Sequence, residues 1–204
     1  MCSSDLALLN SIEKGKCEDF STFMAKEAAL LEKVVYAYPR AIRAIESEYG
    51  FHFEDGGYHK IAETERFTVY QVLPRNGAAV RSNGKPILII PPYVLGANIL
   101  AFLPDENKSY AHAYANQGIP TYIRVIKDID TTPAVQTLTG EEDILDTRFF
   151  CERIKAIHGN SVTLNGFCQG GFIAVSGILS GELDGVVDAL ITCVAPIDGT
   201  RSKA

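Results

Sequence analysis

Ser161-Val162-Thr163-Leu164-Asn165-Gly166-Phe167-Cys168-Gln169-Gly170-Gly171 decides how this chain folds. Residues 161–165, rich in β-branched and apolar side chains, read as a strand. The apolar stretch Phe172 to Leu179 beyond the glycines reads as a helix. Between them lies a G-x-C-x-G turn, the pattern of a nucleophile elbow with cysteine where serine is usual. The spacing has a steric reason. The nucleophile occupies a sharp strand-to-helix turn, and the residues two before and two after it must lack side chains for strand and helix to approach.

Such a turn also carries electrostatics. Cys168 falls at a helix N-terminus, where the dipole and unpaired N–H groups favour negative charge on sulfur. The N–H of Gln169 is a candidate oxyanion donor, and a second is expected from Tyr93 or Val94, in the loop after an upstream strand. Each donor of this kind contributes about 3–4 kcal/mol to transition-state stabilisation. The plainer alternative is a small buried cysteine in a glycine-rich turn. The elements upstream weigh against it.

Working outward, Phe67–Leu73 alternates like a strand, and Pro86-Ile-Leu-Ile-Ile-Pro-Pro92 is a short apolar run suited to a strand buried on both faces. A helix is expected over 105–117, capped by Gly118, followed by a strand over 120–126. Thr139-Gly-Glu-Glu142 is a capping box opening a helix that ends near His158-Gly159. Its expected apolar face is Ile144, Leu145, Phe149, Ile154 and Ile157. A last strand covers 189–194. Repeated strand–helix alternation predicts an α/β fold, a mostly parallel sheet flanked by helices with right-handed crossovers.

Residues 1–59 read as a helical region and linker preceding a catalytic domain over 60–204. Leu6, Leu9 and Ile12 suggest one helix. Phe20, Phe23, Met24, Ala28, Leu31, Val35 and Tyr38 mark a longer one, ended or kinked by Pro39. A short helix over 42–48 follows, and 52–59 reads as a turn-rich linker. The expected role of the long stripe is packing on the main domain; a dimer or acyl-surface contact is the sharper alternative.

Composition narrows the function. With 19 basic against 25 acidic residues in 204, the chain lacks the broad positive surface that nucleic acid requires. Its apolar share of 47% is that of a globular protein rather than a disordered one. No run approaches the ~20 apolar residues of a membrane span, and the N-terminus lacks a signal peptide's basic start. Five irregularly spaced cysteines (Cys2, Cys17, Cys151, Cys168, Cys193) suggest neither zinc nor a disulfide framework. The expectation is a cytoplasmic protein with reduced thiols and no metal.

Three segments carry a resemblance: Pro86-Ile-Leu-Ile-Ile-Pro-Pro-Tyr93, Gln117-Gly-Ile-Pro-Thr-Tyr122 and Gly166-Phe-Cys-Gln-Gly-Gly171. Together with Arg66 and the strand after it, they are similar to the polyhydroxyalkanoate synthases over residues 60 to 198. That family comprises α/β-hydrolase-fold acyltransferases with a cysteine in the lipase-like box. The resemblance implies a Cys–His–Asp triad with Cys168 as nucleophile, acting on 3-hydroxyacyl-CoA or another acyl thioester or ester. It implies no cofactor beyond the acyl-CoA substrate, and it points to a homodimer. A thioesterase or ester hydrolase of the same fold is the competing activity, and a non-catalytic polymer- or partner-binding member the competing class.

The sequence departs from that pattern in two ways. Its four histidines, His52, His59, His112 and His158, all precede Cys168, whereas an α/β-hydrolase supplies nucleophile, acid and histidine in that order. The span from Phe67 onward also falls short of the roughly 200–250 residues such domains commonly occupy. The expectation is therefore a domain incomplete at its C-terminus. Trp is absent altogether, although the synthases usually carry it after the double proline. Among the remaining residues, Asp198 reads as a turn aspartate, His158 as a charge at a helix C-terminus, and His112 as a surface or packing residue. Arg124 and Lys127 read as solvated cations able to meet an anionic group, and Cys193 as a small core residue.

Overall fold

In the computed structural model, which describes residues 20–40 and 57–201, six strands form one sheet. They are β1 (Tyr58–Glu63), β2 (Phe67–Val72), β3 (Ile87–Ile90), β4 (Thr121–Ile126), β5 (Val162–Phe167) and β6 (Val187–Cys193). Their spatial order is β1-β2-β4-β3-β5-β6. The β1–β2 and β2–β4 pairs are antiparallel, and β4–β3, β3–β5 and β5–β6 are parallel. This order, with an antiparallel second strand and an elbow after the fifth, defines an α/β-hydrolase fold.

Period-two alternation divides the core between the two sheet faces. Leu88 and Ile90 of β3, with Leu164 of β5, join Tyr122, Phe150, Cys151, Ile154 and Ala174 on one face. Ile87 and Ile89 of β3, with Ile123 of β4, join Val72, Leu100, Ala111 and Ala115 on the other. The first face is covered by two helices, and the second by α2 (Tyr110–Ala115) and 3-10 turns at Asn98–Leu100 and Pro104–Glu106. After the four-residue helix α3 (Pro133–Gln136), the two covering helices are α4 (Gly140–His158) and α5 (Gln169–Leu179). Continuous burial of β3 is what its unbroken apolar run requires.

Three local expectations need correction. The segment read as linker ends in a strand: Tyr58 and His59 belong to β1, which makes a hairpin with β2 and carries an irregularity between Lys60 and Ala62. The helix expected over 105–117 is confined to Tyr110–Ala115, because Ser109 caps it by accepting the His112 N–H, while Leu103 and Asn107 take positive φ before it.

The face of α4 is the third. Leu145 and Ile157 are exposed, while Asp143, Asp146 and Thr147 are buried beside Phe150, Cys151 and Ile154. Two arginines, Arg66 from the β1–β2 turn and Arg124 from β4, draw the carboxylates inward. Arg66 pairs with Asp146 at 2.8 Å and Glu142 at 3.2 Å, and Arg124 pairs with Asp143 at 2.5 Å. Thr139 accepts from the Glu142 N–H while the Glu142 carboxylate accepts from the Thr139 N–H, and Gly159 closes the helix at φ 71°.

The chain divides into two compact units, Met1–Glu48 and Tyr49–Ala204. In the first, helix α1 (Phe20–Glu32) runs into a π-helical turn at Lys33–Ala37, where Tyr38 N–H donates to Lys33 O. Only Tyr38 separates that widened turn from Pro39, whose ring nitrogen has no hydrogen to donate to the helical ladder. Met24, Leu31, Val35 and Tyr38 of the expected stripe are exposed. The helices expected over 6–12 and 42–48 lie outside the described residues. No helix among the described residues is long and apolar enough to cross a membrane.

Candidate functional site

Cys168 stands at the junction of β5 and α5 with φ 50° and ψ −118°. This is a positive-φ conformation rare for a residue with a Cβ, and it is the strain of a sharp strand-to-helix elbow. The turn is held at both ends. Cys168 N–H donates to Cys193 O on neighbouring β6 (2.9 Å), and Cys168 O accepts from the N–H groups of Gly171 and Phe172. The glycines are sterically obligatory. A Cβ at Gly166 would collide with the backbone of Gly171, and one at Gly170 with the carbonyl oxygen of Ile90. Cys168 is half-buried.

Gln169 and Tyr93, separated by 76 residues in the chain, meet directly beside it. Tyr93 N–H donates to Gln169 Oε1 at 3.0 Å. The Gln169 N–H, at the first position of α5, is one of those for which a helix offers no acceptor. Val94 follows Tyr93 in the same loop and is exposed. Cys168, Gln169 and Tyr93 therefore form one cluster, with Gly166 and Gly170 providing its close approach.

Tyr93 is fixed from below by a buried network that sequence reading does not reveal. Its hydroxyl donates to Asp143 Oδ2 at 2.6 Å. Arg124 donates from Nη1 to Asp143 Oδ1 and to Thr147 Oγ1 (2.7 Å), and from Nη2 to Asp143 Oδ2 (3.1 Å). The Arg124 guanidinium also lies 4.1 Å from the centre of the Phe67 ring. Arg124 and Asp143 are 2% and 0% exposed, so the cation expected in solvent is an internal strut. Burial, followed by the Asp143 carboxylate, pushes the Tyr93 phenol well above its ordinary range. Lys127 is likewise engaged, donating to Thr64 O and lying 3.5 Å from Glu63.

A cavity of about 610 Å³ opens beside the cluster. Gln169 and Tyr93 form its wall nearest the elbow, and Ile126, Val135, Leu138 and Ile173 contribute much of its apolar lining. Its size lies within the range of small-molecule sites. Sequence periodicity could not reveal it, because its lining comes from β4, α3, α4 and α5 together with the loops between them.

The described histidines are engaged elsewhere. His112 is buried, 2.7 Å from Ser109 Oγ through Nδ1 and edge-on to Tyr58. Burial chiefly, with Arg75 adding to it and Asp105 opposing it, lowers its pKa to about 4. His158 binds Tyr122 Oη through Nε2 at 2.6 Å and Ser82 O through Nδ1 at 2.8 Å. The Ser82 carbonyl can only accept, so Nδ1 carries hydrogen, and the ring links α4 to the sheet as well as ending a helix. His59 lies on β1, an edge of the sheet. Asp198 Oδ1 accepts from the Thr200 N–H and hydroxyl, as a turn aspartate does. Cys193 sits 3.9 Å from Tyr110 Oη. Among the described residues, no group of three or more His, Cys, Asp and Glu side chains could hold a metal ion.

No family model matches the chain, and no curated protein matches it. Solved structures do. An alpha-beta serine hydrolase homologue from Coxiella burnetii is 15% identical with a TM-score of 0.48, over 70% of this chain and 64% of that one. A soluble variant of the monoglyceride lipase of Saccharomyces cerevisiae is 14% identical with a TM-score of 0.49, over 71% of this chain and 47% of that one. Brefeldin A esterase, a bacterial homologue of human hormone-sensitive lipase, is 15% identical with a TM-score of 0.45, over 65% and 37%. This chain thus spans less than two thirds of the length of each. The α/β-hydrolase fold itself is carried by the strand order and the strained elbow.

Proposed function

We propose that this chain carries the nucleophile half of an acyl-transfer site, in which Cys168 takes an acyl group from a thioester such as 3-hydroxyacyl-CoA. The observation that carries this reading is the Cys168 backbone at φ 50° and ψ −118° between obligatory glycines. A purely structural cysteine would have no need of that strain. The Cys168 thiolate attacks the acyl carbon, the Gln169 N–H and the loop at Tyr93–Val94 stabilise the oxyanion, and the leaving thiolate departs. The 610 Å³ apolar cavity receives the acyl chain. Transfer onward needs a general base, and none of the described histidines is placed to serve Cys168. Acylation is the step that these residues supply. The 3-hydroxyacyl assignment rests on the likeness of the 86–93, 117–122 and 166–171 segments to the polyhydroxyalkanoate synthases.

Hydrolysis is the second reading, favoured by the incomplete burial of Cys168, which leaves water a path to a thioester. Intact-mass analysis after incubation with 3-hydroxybutyryl-CoA tests the first step. An adduct of one acyl group mapping to Cys168, absent in Cys168→Ala, is the expected result; an unmodified Cys168 overturns it. Products then separate the two readings, since a hydrolase accumulates free acid and a synthase accumulates polymer.

A further inference from the structure

The bond between Tyr93 N–H and Gln169 Oε1 places an amide oxygen of the protein on a donor that the acyl oxygen would use. The two partners differ in freedom. Tyr93 is held through its hydroxyl to Asp143, which is itself held by Arg124 and Thr147, so the N–H is fixed in place. Gln169 is a half-buried, flexible side chain that also forms part of the cavity wall. If one partner yields to an incoming acyl group, it is Gln169. Its position in the wall means that a chain filling the cavity presses on the side chain that covers the donor.

Resting on the acyl-transfer reading above, we propose that the Gln169 side chain is a specificity-determining latch. Its amide oxygen occupies the Tyr93 donor until an acyl chain long enough to fill the neighbouring cavity displaces it. Short acyl groups must break the latch with nothing from the cavity to offset the lost bond. Long ones replace the side chain's contacts with their own. The backbone N–H of Gln169 is separate from this role and is retained in any side-chain variant.

The test compares wild type, Gln169→Ala and Gln169→Met with p-nitrophenyl acetate, p-nitrophenyl octanoate and iodoacetamide, following modification of Cys168 by peptide mass mapping. In the acyl reactions the Cys168 sulfur forms a bond to the acyl carbon, and p-nitrophenolate leaves with the electrons of its C–O bond. The thiol proton goes to solvent. Iodoacetamide alkylates the same sulfur with loss of iodide and forms no oxyanion. Methionine keeps nearly the bulk of glutamine but cannot accept the Tyr93 N–H in the same way.

Both variants are expected to acylate from the acetate about three- to tenfold faster than wild type, the span of one neutral hydrogen bond. The gain with octanoate should be smaller, and the alkylation rate unchanged. Unchanged acetate rates overturn the latch, as does a Gln169→Met variant that behaves like wild type, or an equal rise in alkylation. Absence of any acyl adduct at Cys168 in all three proteins, with alkylation intact, instead overturns the acyl-transfer reading itself. Circular dichroism melting of each variant confirms that the compared proteins are folded.

Discussion

The backbone of Cys168 stores strain at φ 50°, a conformation that costs about 1–3 kcal/mol for a residue with a Cβ. Replacing it with glycine releases that strain, about 1–3 kcal/mol, against about 0.5–1 kcal/mol for the added freedom of the unfolded chain. Cys168→Gly is therefore expected to stabilise the domain by about 1 kcal/mol while removing the thiol, read as a higher urea midpoint. A lower midpoint would show that the thiol's contacts matter more than its torsions. Gly170→Ala should do the reverse. Its new Cβ meets the Ile90 carbonyl, a backbone atom that cannot turn aside, so a loss of about 3 kcal/mol or more is expected. The elbow was legible because its rule is local and steric, written within six residues. The Tyr93–Gln169 bond was not, since it joins residues brought together only when β3 and β5 pair.

At the scale of elements, the site is braced by a strut from β4 to α4. Asp143→Ala leaves the Arg124 guanidinium buried without its counter-charge, and the expected cost is about 3–5 kcal/mol. Tyr93→Phe removes a single hydrogen bond to a charged acceptor and should cost about 1.5–3 kcal/mol. Replacing the pair together, Arg124→Met with Asp143→Leu, should recover most of the single-variant loss, because no uncompensated charge remains. Denaturant unfolding of the four proteins checks the series, and a double variant as unstable as Asp143→Ala would sink the account. Thr139→Ala should cost about 1 kcal/mol through the lost cap of α4. That cap was readable from four residues, and the apolar run of β3 was readable from its continuity. The inward face of α4 was misread because apolar periodicity treats Asp143 and Asp146 as outward, and only their pairing with Arg124 of β4 and Arg66 of the β1–β2 turn reverses that. The hairpin strand β1 was missed because Tyr58-His59-Lys60 carries little β-branched signal; pairing with β2 decides its conformation.

For the domain as a whole, protonation of the buried His112 is expected to oppose folding. The ring is 1% exposed, its buried Nε2 has no hydrogen-bond partner among the described residues, and its pKa is lowered to about 4, first by burial and then by Arg75. In the unfolded chain the same ring titrates near its ordinary 6.5. Between those values the unfolded state binds the proton and the folded state does not, so stability falls as pH drops from about 6.5 and levels below about 4. At pH 4.5 the loss relative to pH 7 should be about 2–3 kcal/mol. Glu63 and Glu142, whose pKa values are lowered chiefly by Lys60 and by the Thr139 backbone respectively, add an acid loss of their own. That loss is common to wild type and any His112 variant. His112→Leu isolates the histidine: it should be less stable at pH 7 for want of the Ser109 contact, yet lose less between pH 7 and 4.5 than wild type does. Urea unfolding at the two pH values measures the difference. Parallel slopes would mean that the domain admits the imidazolium, and that the covering of the second sheet face by α2 yields to a buried charge.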